Sequence, residues 1–90
     1  MLLEEVMRQL EEYGTEQNRK TYKNHGAKEP LFGVSFANLK LLKKKIKKDH
    51  DLAVELWETK NMDAMTLATY ILDPKKITTE QLNSWIQDVD

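Results

Sequence analysis

A row of lysines is the part of this chain best equipped for chemistry. Lys40, Lys43, Lys44, Lys47 and Lys48 lie close together. On an ideal helix Lys40, Lys44 and Lys47 cluster, with Lys43 on one flank and Lys48 on the other. Ammonium groups so arrayed can follow a nucleic-acid backbone, neutralising phosphates and releasing counterions. The same row is also what a solvated face of an amphipathic helix presents. The run has no interleaved aromatics on which single-stranded bases would stack. Tyr22, beside Arg19 and Lys23, is a second candidate contact. It is equally suited to a half-buried position with its hydroxyl exposed. His25 and His50 stand too isolated for a metal site. His50 lies at a turn between helices, in reach of the preceding helix's last carbonyls. No Ser/His/Asp triad, phosphate loop or dinucleotide fingerprint is present, and no cofactor is expected.

Six helices and no strand must position these residues. Leu3, Val6, Met7, Leu10 and Tyr13 recur at three- and four-residue steps, as on an amphipathic helix. Gly14 ends that helix. Thr15 caps a short second one to about Asn24, and Gly26 stands where a C′ glycine would. Residues 27–34 read as loop, broken by Pro30 and Gly33. Ser35 suits the N-cap of a third helix, from about Phe36 to Lys48, with Phe36, Leu39, Leu42 and Ile46 on one face and Leu41 off it. A fourth spans about Asp51 to Thr59, with Leu52, Leu56 and Trp57 inward. Asn61 caps a fifth, about Met62 to Leu72, which is apolar most of the way round and so reads as buried between neighbours. Asp73-Pro74 stops it. Thr78 and Gln81 have capping-box spacing for a sixth, whose Leu82, Trp85, Ile86 and Val89 form one stripe.

The order and spacing of these motifs resemble the DNA alkylation repair (AlkD-like) family of helical-repeat DNA glycosylases. The resemblance rests on Gly33-Val34-Ser35 at a helix start and on Leu39, Lys40, Leu42 and Lys44 along it. It continues through Asp49-His50, Leu52-Ala53 and Leu56-Trp57. Thr15 to Lys20, His25-Gly26-Ala27, Leu67-Ala68, Asp73-Pro74 and Trp85 extend it over nearly the whole chain. Met65 departs from the family, which more often has Arg there. The resemblance implies an all-α, HEAT-like solenoid of antiparallel helix pairs, with residues 1–90 as the N-terminal portion of a longer repeat domain. It implies that the full-length form is a cofactor-free glycosylase acting on alkylated purines in duplex DNA. The family's Trp-Asp-x-x-Asp segment would begin about where this sequence stops, so no catalytic residue is assigned here. Trp85-x-x-Asp88 has the wrong spacing for that motif, and Trp85 falls on the apolar stripe instead. The third and fifth helices start about 26 residues apart, shorter than the roughly 40 of a typical HEAT repeat.

Composition sets the remaining bounds. Ninety residues allow one small domain or a piece of a larger one. The 40% hydrophobic content supports a core. Cysteine is absent, which excludes disulfides and thiol nucleophiles and suits a cytoplasmic protein. Nothing resembles a signal peptide or membrane span. Charge is segregated: residues 1–14 carry four Glu and one Arg, net −3; residues 15–48 carry ten Lys/Arg and two Glu, net +8; residues 49–90 carry nine Asp/Glu and three Lys, net −6. A basic middle between acidic ends is compatible with a phosphate-facing patch, and equally with charge pairing between stacked helices. Asp88 and Asp90 close the last helix against its dipole, so an interrupted solenoid is expected. Its apolar edge of Leu82, Trp85, Ile86 and Val89 would then favour self-association of the 90-residue chain.

Overall fold

The computed structural model describes residues 1–88, and within them the chain is six helices without a strand. They are α1 (Leu3–Tyr13), α2 (Glu16–Asn24), α3 (Phe36–Ile46), α4 (His50–Glu58), α5 (Met62–Ile71) and α6 (Thr79–Asp88). Val89 lies outside the described residues. The starts are written locally. Thr15 accepts from the Asn18 N–H, Ser35 from Asn38, Asp49 from Leu52, and Asn61 from both Asp63 and Ala64. At α6 the Thr78 hydroxyl accepts from the Gln81 N–H while the Gln81 amide oxygen accepts from the Thr78 N–H. Each such cap satisfies donors that a helix start leaves open, for about 1 kcal/mol.

The core gathers on α5. Ala64, Met65, Leu67, Ala68 and Ile71 are buried there, facing Leu52, Ala53, Leu56 and Trp57 of α4. A three-residue turn joins α4 to α5, and short turns leave packed helices antiparallel. Leu39 and Leu42 bring α3 onto the same core, and Val6 and Leu10 bring α1. Met65 is inside this cluster, so at the position where the resemblance would place Arg this chain has a packing residue.

The segment before α3 is held from two sides. Asp63, in the first turn of α5 and 4% exposed, accepts from the backbone N–H groups of Phe32, Gly33 and Val34. On the other side the Gly33 carbonyl accepts from the Thr15 N–H at 3.1 Å. Gly33 has φ +81°, and a Cβ there would come within 2.5 Å of the Thr15 carbonyl oxygen and 2.6 Å of the Arg19 nitrogen. Gly14 meets the same segment: a Cβ would lie 2.3 Å from the Phe32 carbonyl oxygen. Two glycines thus let the segment pass between the α1–α2 corner and the start of α5.

Two expectations about α3 are corrected. Phe36 does not share the core face; it is 58% exposed. On an ideal helix it lies roughly 90° round from the centre of the Leu39, Leu42 and Ile46 face, and at the first turn it is covered only in part, with the tilted Tyr22 ring 6.2 Å away. The helix also stops at Ile46, not Lys48. Lys47 takes φ +62° as its C-cap. The chain must turn there, because the Asp49 N–H donates to the Ile71 carbonyl at the end of α5.

Replacing Asp63 with Asn puts an N–H₂ group among three inward N–H donors. We expect Asp63→Asn to cost about 2–4 kcal/mol, since buried donors left unpaired cost about 1–3 kcal/mol each. Asn61→Ala, which removes a helix cap, should cost about 1–2 kcal/mol. Urea unfolding followed by circular dichroism compares the two.

Candidate nucleic-acid interface

All five lysines singled out above are exposed: Lys40, Lys43 and Lys44 on α3, Lys47 at its cap, and Lys48 just beyond. Lys40 and Lys44 occupy successive turns, and the early helix end moves Lys47 and Lys48 off the helical row. Among the described residues none of the five lies within 4.0 Å of a carboxylate. The acidic flanks of the sequence therefore do not neutralise this patch by direct pairing. Lys43 sits 5.8 Å from the centre of the Tyr70 ring, within cation–π reach.

The basic residues of α2 are arranged otherwise. Arg19 donates to Glu16 at 2.9 Å, to Glu29, and through Nε to the Leu31 carbonyl. Lys23 donates to Glu29 at 2.9 Å. That Lys23 bond is the main cause holding the Glu29 carboxyl below its usual range, with Arg19 adding to it. Arg19 and Lys23 thus fasten the loop after α2, and their charge is largely spent there. Tyr22, between them in sequence, is half-buried and its hydroxyl donates to the Val34 carbonyl at 2.8 Å. Burial, and then the charge of Asp63, hold the phenol above its usual value, so it stays a donor.

Between α2, α3 and α5 an open groove of about 340 Å³ is lined by Tyr22, His25, Ala27, Phe36, Met62 and Thr66, among others. The rings of Tyr22 and Phe36 stand 6.2 Å apart, tilted at 46°. His25 is exposed at this groove. Among the described residues no group of three acids or histidines is placed to hold a metal.

His50 has the structural role expected of it, with different partners. Its Nδ1 accepts from the Asp73 N–H at 3.3 Å and its Nε2 lies 3.2 Å from the Gln81 amide oxygen. The ring thereby ties the start of α4 to the α5–α6 connection, and it does not meet the last carbonyls of α3. Trp85 requires a correction: it is 7% exposed and stacks on Trp57, with ring centres 4.4 Å apart and planes 7° from parallel. It is not part of an uncovered edge. Leu82 and Ile86 are, at 48% and 54% exposure.

A family model described as DNA alkylation repair enzyme matches residues 6–90. The chain belongs to the DNA alkylation repair enzyme family. It is similar to two uncharacterised Listeria proteins, Lin0241 of L. innocua and Lmo0209 of L. monocytogenes. Each is 39% identical over 70 residues, covering 73% of this chain and 31% of its own length. A solved structure aligns over 98% of this chain and 37% of its own, with a TM-score of 0.91 and 42% identity. It is described as a new family related to the HEAT-like repeat DNA glycosylases, with affinity for branched DNA structures. The chain thus spans about a third of the length of these relatives. The fold expected from the sequence, all-α and HEAT-like, is the fold observed. Among the described residues no helix is long and apolar enough to cross a membrane.

No local signal marks Asp63 as the acceptor for residues 32–34, or Phe36 as a residue left exposed. A free acid in a helix's first turn is ordinary, and a phenylalanine beside a leucine face reads as core. The stack on α6 yields a prediction. Trp85→Ala should cost about 3–5 kcal/mol, the usual range for emptying a large aromatic site. The pair Leu82→Ser and Ile86→Ser, away from the core, should change stability by no more than about 0.5 kcal/mol each. Thermal melts monitored by tryptophan fluorescence distinguish these outcomes.

Proposed function

We propose that this chain is the N-terminal helical-repeat segment of a DNA-binding protein, and that it meets DNA through the lysines of α3. The carrying observation is that these lysines are exposed and unpaired with acid among the described residues, although the sequence is acidic on both sides. A fold that meant to neutralise them had carboxylates at hand. Lys40 and Lys44 lead, with Lys47 and Lys48 at the helix end and Lys43 partly drawn to Tyr70.

Two readings of the whole protein follow. One is a glycosylase removing alkylated purines from duplex DNA, which the family membership favours. The other is a non-enzymatic helical-repeat module that binds DNA or protein, and the affinity for branched DNA described for the relative at 42% identity favours DNA as its partner. We adopt the second for the DNA contact and hold that residues 1–90 carry no catalytic group in either case. A cytoplasmic location accords with this reading. Leu82 and Ile86 would receive the next helices of a longer protein, since repeats of this kind cover one another's apolar faces; Val89 extends the same stripe in sequence. In the 90-residue chain that edge favours self-association.

Two measurements test this. A base-release assay on alkylated DNA, with the full-length protein as the control, should give no release above background for the 90-residue chain. Salt titration of DNA binding tests the lysines. Replacing Lys40, Lys44 and Lys47 with Gln in the full-length protein should flatten the slope of log affinity against log salt by about 2–3, since each duplex phosphate contact contributes roughly 0.9. An unchanged slope would remove the DNA-facing role of α3.

A further inference from the structure

Among the described phenylalanine, tyrosine and tryptophan side chains, Phe36 alone is mostly exposed. It is the first residue of α3, directly after the Ser35 cap, and it forms one wall of the groove between α2, α3 and α5. At 58% exposure the ring forgoes much of the gain of burying it, and its aromatic contact within the chain is the tilted Tyr22 ring. Its position along the helix suggests what it is for. Lys40 follows one turn later and Lys44 a second turn later, so an aromatic face and two unpaired ammonium groups line one edge of a helix at steps of about 6 Å.

That edge combines the two elements by which proteins hold unpaired nucleic acid: positive groups for the backbone and an aromatic face for a base. Groove and lysines fit one occupant in particular. A paired base inside a duplex has no free face to offer Phe36. A base at a branch point has one, and its flanking phosphates match the charge of Lys40 and Lys44. Resting on the DNA-binding reading above, we propose that Phe36 is a stacking platform for an unstacked base at a DNA branch, seated over the groove beside Tyr22, Met62 and Thr66, with Lys40 and Lys44 on the adjacent phosphates. The tilted Tyr22 ring, anchored by its bond to Val34, backs the platform. Base stacking of this kind tolerates any base, so the site discriminates DNA shape and not sequence.

The test uses the full-length protein with Phe36→Leu, which keeps an apolar side chain but removes the aromatic face, and Phe36→Trp, which keeps and enlarges it. Two oligonucleotides of equal charge serve as ligands: a three-way junction with unpaired bases at the branch, and a fully paired duplex. A 2-aminopurine at the branch reports stacking by loss of fluorescence. Because Phe36 is exposed, both variants should melt with the wild type. Phe36→Leu should weaken junction binding roughly tenfold, within the range that removing one base–aromatic stack produces. It should leave duplex affinity within twofold, leave the salt slope unchanged and abolish the quench, while Phe36→Trp retains it. Equal loss on both ligands would overturn the proposal, as would no loss on either. If Phe36→Leu has no effect while the lysine replacements still weaken binding, the stacking role fails and the DNA-binding reading stands; the groove would then be open to a protein segment. If the wild type binds neither ligand, both fall together.

Discussion

The fold turns on one buried carboxylate. Asp63 collects three consecutive backbone N–H groups from residues 32–34, which no helix or sheet satisfies. Unpaired, those donors would each carry a desolvation penalty. Paired with a neutral acceptor they would be satisfied less strongly, since hydrogen bonds to charged groups are roughly twice as strong. The bond joins the first turn of α5 to a segment about thirty residues upstream, and so it sets the position of everything that leaves that segment. Ser35, the residue after Val34, caps α3, and Phe36 is its first residue. Its direction, and with it the orientation of Lys40, Lys44 and Phe36, follows from where Asp63 holds the chain.

The surrounding contacts share that dependence. Gly33 and Gly14 are needed because the segment passes so close to Thr15, Arg19 and the α1–α2 corner that a Cβ would collide. Tyr22 caps the same segment from α2 by donating to Val34, and Arg19 Nε bonds the Leu31 carbonyl just before it. The groove beside Phe36 is the space these contacts leave between α2, α3 and α5. A latch of this kind explains why the basic face can remain unpaired: α3 is oriented by its apolar side and its N-terminal anchor, so its lysines are not required to hold it.

Much of this was legible in the sequence, for a physical reason. Helix starts depend on residues within one turn, so Thr15, Ser35, Asn61 and the Thr78/Gln81 pair could be read directly. The run of apolar residues most of the way round α5 likewise announced a helix buried between others. What escaped was set by distant partners. Nothing near Asp63 in sequence indicates that its acceptors are spent on residues 32–34. α3 stops at Ile46 because Asp49 bonds Ile71 across the fold, and no local signal at Lys47 says so. Trp85 sits on an apolar stripe with Leu82 and Ile86, yet of these three only Trp85 is buried, because Trp57 lies opposite it on α4. Phe36 is the converse case, an apolar residue on the edge of a core face that is left mostly exposed.

The most direct test of the latch is native-state hydrogen exchange read residue by residue on the amides of Phe32, Gly33 and Val34. If Asp63 governs the fold, these three amides open only with α5, and their opening free energies match those of Leu67 and Ala68 and fall together as denaturant is added. Exchange at the rate of a free loop, with α5 still protected, would show that the segment is held by something other than Asp63 and would contradict the account.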